Sequence, residues 1–137
     1  MKNTARSLPD TNTIVRYLIN DDPALYAKAS DFFDKVKNGG ARAVILESVI
    51  AECVYVLTKI YKVPRDRAAG SLIDILRYKG IANDDRQELI RALSLFPEHG
   101  LDIVDCILCA RAVDSGDHLF TFDADLNRMN EKLRAKN

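Results

Sequence analysis

Asp10, Glu52, Asp105 and Asp123 are the residues of this chain whose types and placement could do chemistry together. Asp10 follows a first short strand candidate, and Asp123 follows the run H-L-F-T-F at 118–122, a second expected strand. In an open parallel α/β sheet the functional crevice lies outside the carboxyl ends of the strands. Two acids from opposite ends of the chain therefore converge there if their strands are central and adjacent. Glu52 falls one turn into the helix expected after R-A-V-I-L at 42–46, and Asp105 falls in the first turn of the helix after Gly100. Four carboxylates from four elements are thus aimed at one edge of the sheet. Two carboxylates ~4–5 Å apart repel by about 3–4 kcal/mol at an effective dielectric near 20. Protonation, a neighbouring Lys or Arg, or a bound metal can relieve that repulsion. An all-oxygen ligand set favours a hard ion, Mg2+ or Mn2+. Such an ion suits hydrolysis of a phosphodiester, where it activates water and steadies charge on phosphorus.

The elements that must position these acids are marked mainly by helix punctuation. Asp22-Pro23 reads as an N-cap with proline at the first helical position, and Asn38-Gly39-Gly40 ends that helix. From Ser48 to about Ile60, Val49, Cys53, Val56, Leu57 and Ile60 recur at the spacing of one helix face. Pro64 opens a further helix with Ala68, Leu72, Ile75 and Leu76 inward. Asp84 with Gln87 resembles a capping box for a helix that Gly100 stops. Residues 101–114 are expected to form a helix with Ile103, Val104, Ile107, Leu108 and Val113 as its apolar face, ended by Gly116. A closing helix is expected over 126–134. Strands separated by helices predict an α/β fold: a parallel sheet with helices packed on its faces. The first strand is short, and Pro9 cannot donate to a ladder.

The chain has 137 residues, 47% hydrophobic and 29% charged, with 20 Lys and Arg against 20 Asp and Glu. This length suits one domain, 1–137, that needs no disulfide for stability. Zero net charge means that any basic surface has to come from local clustering. The polar start of the chain has no signal-peptide character. No run approaches the ~18 apolar residues of a membrane span. Three cysteines without a secretory signal fit a cytoplasmic protein rather than a disulfide framework.

Four segments resemble the motifs of PIN-domain nucleases, especially the VapC-like toxins of bacterial toxin–antitoxin pairs. They are D-T-N-T-I-V-R-Y-L at 10–18, V-I-A-E-C-V-Y-V-L at 49–57, D-I-V-D-C-I-L-C-A-R-A at 102–112 and L-F-T-F-D-A-D-L at 119–126. Their order and spacing are similar to the family's from about residue 8 to 133. The resemblance implies a three-layer α/β/α domain, a Mg2+- or Mn2+-dependent endoribonuclease acting on RNA, a homodimer, and a neutralising antitoxin partner. It assigns Asp10, Glu52, Asp105 and Asp123 to the acidic cluster, with Asn12 and Thr121 orienting the carboxylates. Asp102 and Asp125 are expected as auxiliary acids beside Asp105 and Asp123. Arg16, within two turns of Asp10, is expected to meet an RNA phosphate or to pair with an acid of the cluster. Cys106 stands where the family usually has alanine, a small change in volume.

Other signals are discounted. Cys106-x-x-Cys109 lacks a second ligand pair for zinc, and all three cysteines fall among apolar helical residues. His99 and His118 lie singly at element boundaries. Tyr55, Tyr61, Phe32 and Phe33 are expected in the core or on a dimer surface rather than as a base-stacking platform. Competing functions are a catalytically silent PIN-like binding module, a nuclease acting on DNA, and a phosphotransferase with Asp10 as nucleophile. The intact set of four acids weighs against a silent module. Against the phosphotransferase, Asn12 stands where a second acid is needed and Ile14 where a threonine is.

Overall fold

The computed structural model describes residues 5–136, and the polar start at residues 1–4 lies outside the described residues. Two short parallel strands form the sheet, β1 (Arg6–Ser7) and β2 (Arg42–Ala43), in the register Arg6 to Arg42 and Ser7 to Ala43. Ile81 adds a parallel bridge to Ala43 on the other side of β2. Seven α-helices surround this sheet among the described residues. They are α1 (Thr11–Ile19), α2 (Pro23–Asn38), α3 (Glu47–Tyr55), α4 (Arg65–Leu76), α5 (Arg86–His99), α6 (Ile103–Ser115) and α7 (Ala124–Lys136). A π-helical turn, Val56–Ile60, extends α3. The parallel sheet flanked by helices agrees with the expected α/β/α arrangement.

The helices begin and end for local reasons. Asp22 accepts from the Leu25 amide with Pro23 at the helix start, and Gly39 closes α2 in the left-handed region at φ 84°. Gly100 and Gly116 end α5 and α6 in the same conformation. One cluster of buried side chains then locks the helices to the sheet, with Ile14, Phe33, Ile45, Leu57, Leu72, Leu76, Leu89 and Leu93 fully buried. Among the described residues no helix is long and apolar enough to cross a membrane.

Several expectations are corrected. The run at 118–122 is not a strand. The Thr121 hydroxyl instead accepts from the Asp123 amide at 3.1 Å, and its carbonyl accepts from the Asn127 side chain at 3.2 Å. Local bonds of this kind compete with a ladder. Phe120 and Phe122 accordingly stand exposed. In R-A-V-I-L only Arg42–Ala43 pairs as strand; beyond it the Asn83 side chain replaces a neighbouring strand. It accepts from the Ile45 amide at 2.9 Å and donates to the Ile45 carbonyl at 2.7 Å. The capping box at Asp84 and Gln87 does not form: Asp85 caps α5 by position, and its carboxylate instead accepts from Asn83 Nδ2 at 2.9 Å. The helix expected from residue 101 starts at Ile103, after Asp102 as the cap residue. Its buried stripe runs through Ile103, Cys106, Ile107, Cys109, Ala110 and Ala112. Val104 and Leu108 are exposed, because α5 and α7 pack on a face rotated toward the small residues.

Candidate metal centre

Asp10 is the cap residue of α1. Its Oδ1 accepts from the Thr13 amide at 2.9 Å and from the Thr13 hydroxyl at 2.8 Å, which hold the carboxyl below its ordinary value. Asp123 plays the same part for α7, its Oδ1 accepting from the amides of Asp125 at 2.9 Å and Leu126 at 3.1 Å. Each aspartate thus anchors one oxygen to a helix start. Its Oδ2 has no hydrogen-bond partner among the described residues, so it is directed by a rigid backbone yet open to a ligand.

Asp105 lies half-buried in the first turn of α6. Burial raises its carboxyl above the ordinary 3.8, and the charges of Asp102 and Asp123 raise it further. Those three acids therefore share one field. Glu52 projects from α3 beside Cys53, and the Cys53 thiol feels the negative charge of both Glu52 and Asp10. Among the described residues the carboxylates of Glu52, Asp102 and Asp105 enter no ion pair and no hydrogen bond. No Lys or Arg pairs with Asp10 or Asp123 either. Like charges without a counter-charge, offering free oxygens, are the donor chemistry that a hard divalent ion satisfies.

The spacing is looser than the sequence alone suggests. Among the described residues, the three carboxylates whose oxygens lie within 4.8 Å of one another are Glu47, Asp85 and Glu88. This second acidic cluster has a shape that could hold a metal ion, but a cation of the chain is already there. Arg111 donates to both oxygens of Glu88 at 2.9–3.2 Å and to Glu47 at 3.0 Å. A forked guanidinium of this kind is a strong carboxylate partner. Sequence reading missed this cluster because it joins α3, α5 and α6 across long separations, with no local spacing to betray it.

The remaining candidates are placed as follows. The Thr121 hydroxyl meets the backbone of Asp123 rather than its carboxylate. Asn12 is exposed and lines a cleft of about 240 Å³ with Arg16 and Lys28. Asp125 is ion-paired with Arg128 one turn later. Arg16 pairs with Asp21 at 2.8 Å, so of its two expected partners the cluster acid is not the one it meets. The three cysteines are buried as expected. Burial pushes the thiols of Cys53 and Cys106 up to about 12 and that of Cys109 to about 11, far from the thiolate a metal or redox site needs. His99 lies 3.7 Å from Glu98 at the surface. Phe33 is core and stacks on Tyr17 at 4.6 Å, Phe32 packs partly buried beside it, and Tyr61 donates to Asp21 at 3.2 Å. Tyr55 is not core: it is 59% exposed.

The raised Asp105 carboxyl has a consequence for stability. A carboxylate whose folded value lies above its ordinary 3.8 disfavours folding once ionised, so its penalty grows as pH rises through that window. In EDTA, Asp105→Asn should therefore melt higher than the parent at pH 7, with the difference shrinking toward pH 3.5. Thermal melts at both pH values check this. A parent as stable as the variant at pH 7 would remove the like-charge account.

The family model of the PIN domain matches residues 7–132. No curated protein and no solved structure matches the chain. PIN domains are generally metal-dependent nucleases, and the uncompensated acids at Asp102, Asp105 and Asp123 suit that chemistry. With the match covering nearly all of the sequence and all four candidate acids, this chain belongs to the PIN domain family.

Proposed function

We propose that this protein is an endoribonuclease dependent on Mg2+ or Mn2+, with Asp10, Glu52, Asp105 and Asp123 as its metal-holding acids. The observation that carries this reading is the field shared by Asp102, Asp105 and Asp123 without a counter-cation, in a PIN domain. A divalent ion bound there supplies an activated water and compensation for charge on the phosphoryl group. The chain's own part is placement. Asp10 and Asp123 each give a helix start one oxygen and keep the other free, so both are oriented before substrate arrives. Half-burial of Asp105 lowers the local dielectric and strengthens any cation contact made there. Asp102, at the cap of α6 without a side-chain cap bond, is free to swing toward the same ion. Asn12, Thr121 and Asp125 serve as supporting groups, Asp125 through the hydrogen bond that its backbone N–H donates to Asp123 Oδ1.

The same reading makes the chain a single-domain cytoplasmic toxin of a toxin–antitoxin pair, acting as a homodimer and silenced by a cognate antitoxin protein. Arg16 contributes a phosphate contact from the cleft it shares with Lys28.

Purified protein is expected to cut RNA when Mn2+ or Mg2+ is present, and excess EDTA should stop the cutting. Cleavage that persists in EDTA, or RNA left whole at every metal concentration, would count against the reading. DNA strands in the same assay test the DNA-nuclease alternative. Growth arrest on expression, relieved by a protein encoded in the adjacent reading frame, tests the toxin role.

A further inference from the structure

Tyr55, the last residue of α3, presents its ring to solvent although it sits one helical turn beyond Glu52 on the same side of the helix. It lines a groove of about 530 Å³ together with Lys59 of the turn that follows and with Asp102 and Asp105 at the start of α6. A volume of this order lies within the range of small-ligand sites. In the same groove, Arg65 lies over the Phe96 ring at 3.6 Å. Its Nη2 donates to the carbonyls of Phe96 at 2.6 Å and Leu101 at 2.7 Å, so this part of the groove is locked in place.

The chain takes up its π-helical turn immediately after Tyr55, closed by the Tyr61 amide on the Val56 carbonyl at 3.1 Å. Single π turns within helices occur often at functional sites. Here the turn keeps Lys59 on the groove wall, where its ammonium enters no ion pair among the described residues. One groove thus holds an open aromatic face, a free cation and two acids of the candidate metal centre. A purely apolar partner surface would leave Lys59 and both acids desolvated without partners. A nucleotide offers a ring for the ring and a phosphate for the ammonium.

The geometry points to a subsite for one unpaired nucleotide of the substrate strand, its base on the Tyr55 ring and an adjoining phosphate at Lys59. This inference rests on the ribonuclease reading above and deepens it. A base held in a duplex must first unpair and unstack to reach the ring, so the subsite favours single-stranded RNA.

Binding is measured in the Asp10→Asn background, which separates affinity from cleavage, using one labelled RNA as a single strand and as a duplex over a range of salt. Tyr55→Ala should weaken single-strand binding on the order of 10-fold and leave duplex binding unchanged, while Tyr55→Phe keeps both. Lys59→Ala should reduce the salt slope for the single strand by about 0.7. Equal affinity of Tyr55→Ala and its parent for the single strand overturns the subsite. So does a change in oligomeric state on size-exclusion chromatography without selective loss of single-strand binding, which assigns Tyr55 to an interface between copies. If Tyr55-dependent binding holds while the unsubstituted protein cuts nothing, the subsite stands and the nuclease reading fails. If the protein cuts RNA and Tyr55→Ala binds it normally, the subsite alone fails.

Discussion

Asp10→Asn is expected to lower metal-dependent RNA cleavage by at least about 100-fold while the melting temperature stays within about 2 °C of the parent. The activity loss follows from the assigned role. Removing a group that merely orients a metal ligand commonly costs about 10–100-fold, and removing a ligand costs at least the upper end of that. The unchanged stability follows from the cap. Asp10 Oδ1 accepts the Thr13 amide at the start of α1, and an asparagine oxygen accepts it as well, since the two residues are nearly equivalent at this position. Asp10→Ala removes the acceptor and should cost about 1 kcal/mol more. The pair of variants separates the two jobs of one side chain, with cleavage assays and thermal melts as the readouts. An Asp10→Asn protein that cuts RNA at the parent rate would remove Asp10 from the metal centre.

Gly80→Ala is expected to destabilise the fold by more than about 3 kcal/mol, a loss of about 10 °C in melting temperature. The reason is space. A Cβ at Gly80 would stand 2.0 Å from the Ala41 carbonyl oxygen and 2.7 Å from that of Val36, and neither backbone atom can move alone. The Gly80 amide donates to Val36 at 2.7 Å, and its carbonyl accepts from Ala43 at 3.0 Å. Relieving the clash therefore pulls the end of α2 away from β2, and β2 leads directly into the helix that carries Glu52. Gly70 is the contrast. It lies inside α4 with nothing within 4 Å of a built Cβ, so Gly70→Ala should stabilise by about 0.5–1 kcal/mol. Differential scanning calorimetry of both variants checks the pair. A Gly80→Ala protein melting within about 2 °C of the parent would show that the contact relaxes without cost.

Much of the candidate site is legible in local spacing. Asp10 and Asp123, expected at the ends of strands, turn out to cap α1 and α7, a placement decided within one turn by residues adjacent in sequence. The expectation for Asp123 nevertheless rested partly on a strand at 118–122 that does not form. Thr121 satisfies its own polar groups with Asp123 and Asn127, a local choice that hydrophobic alternation does not register. For α6, its glycine stop was legible but its buried face was not: Val104 and Leu108 continue the apolar pattern, yet the neighbouring helices take the side bearing Cys106, Cys109 and Ala110.

By itself, the order of residues determined most of the helices, the Asp22-Pro23 start and glycine stop of α2, the glycine stops of α5 and α6, the burial of the three cysteines and the succession of four acids that marks the family. These are short-range properties, carried by a few neighbouring residues and their hydrogen bonds. Tertiary packing alone decided that Asp105 feels Asp123, that Arg111 bridges Glu47 and Glu88, and that Tyr55 faces a groove instead of the core. Coulomb interactions and close packing act through space between segments tens of residues apart, and no periodicity along a chain encodes which of those segments will meet.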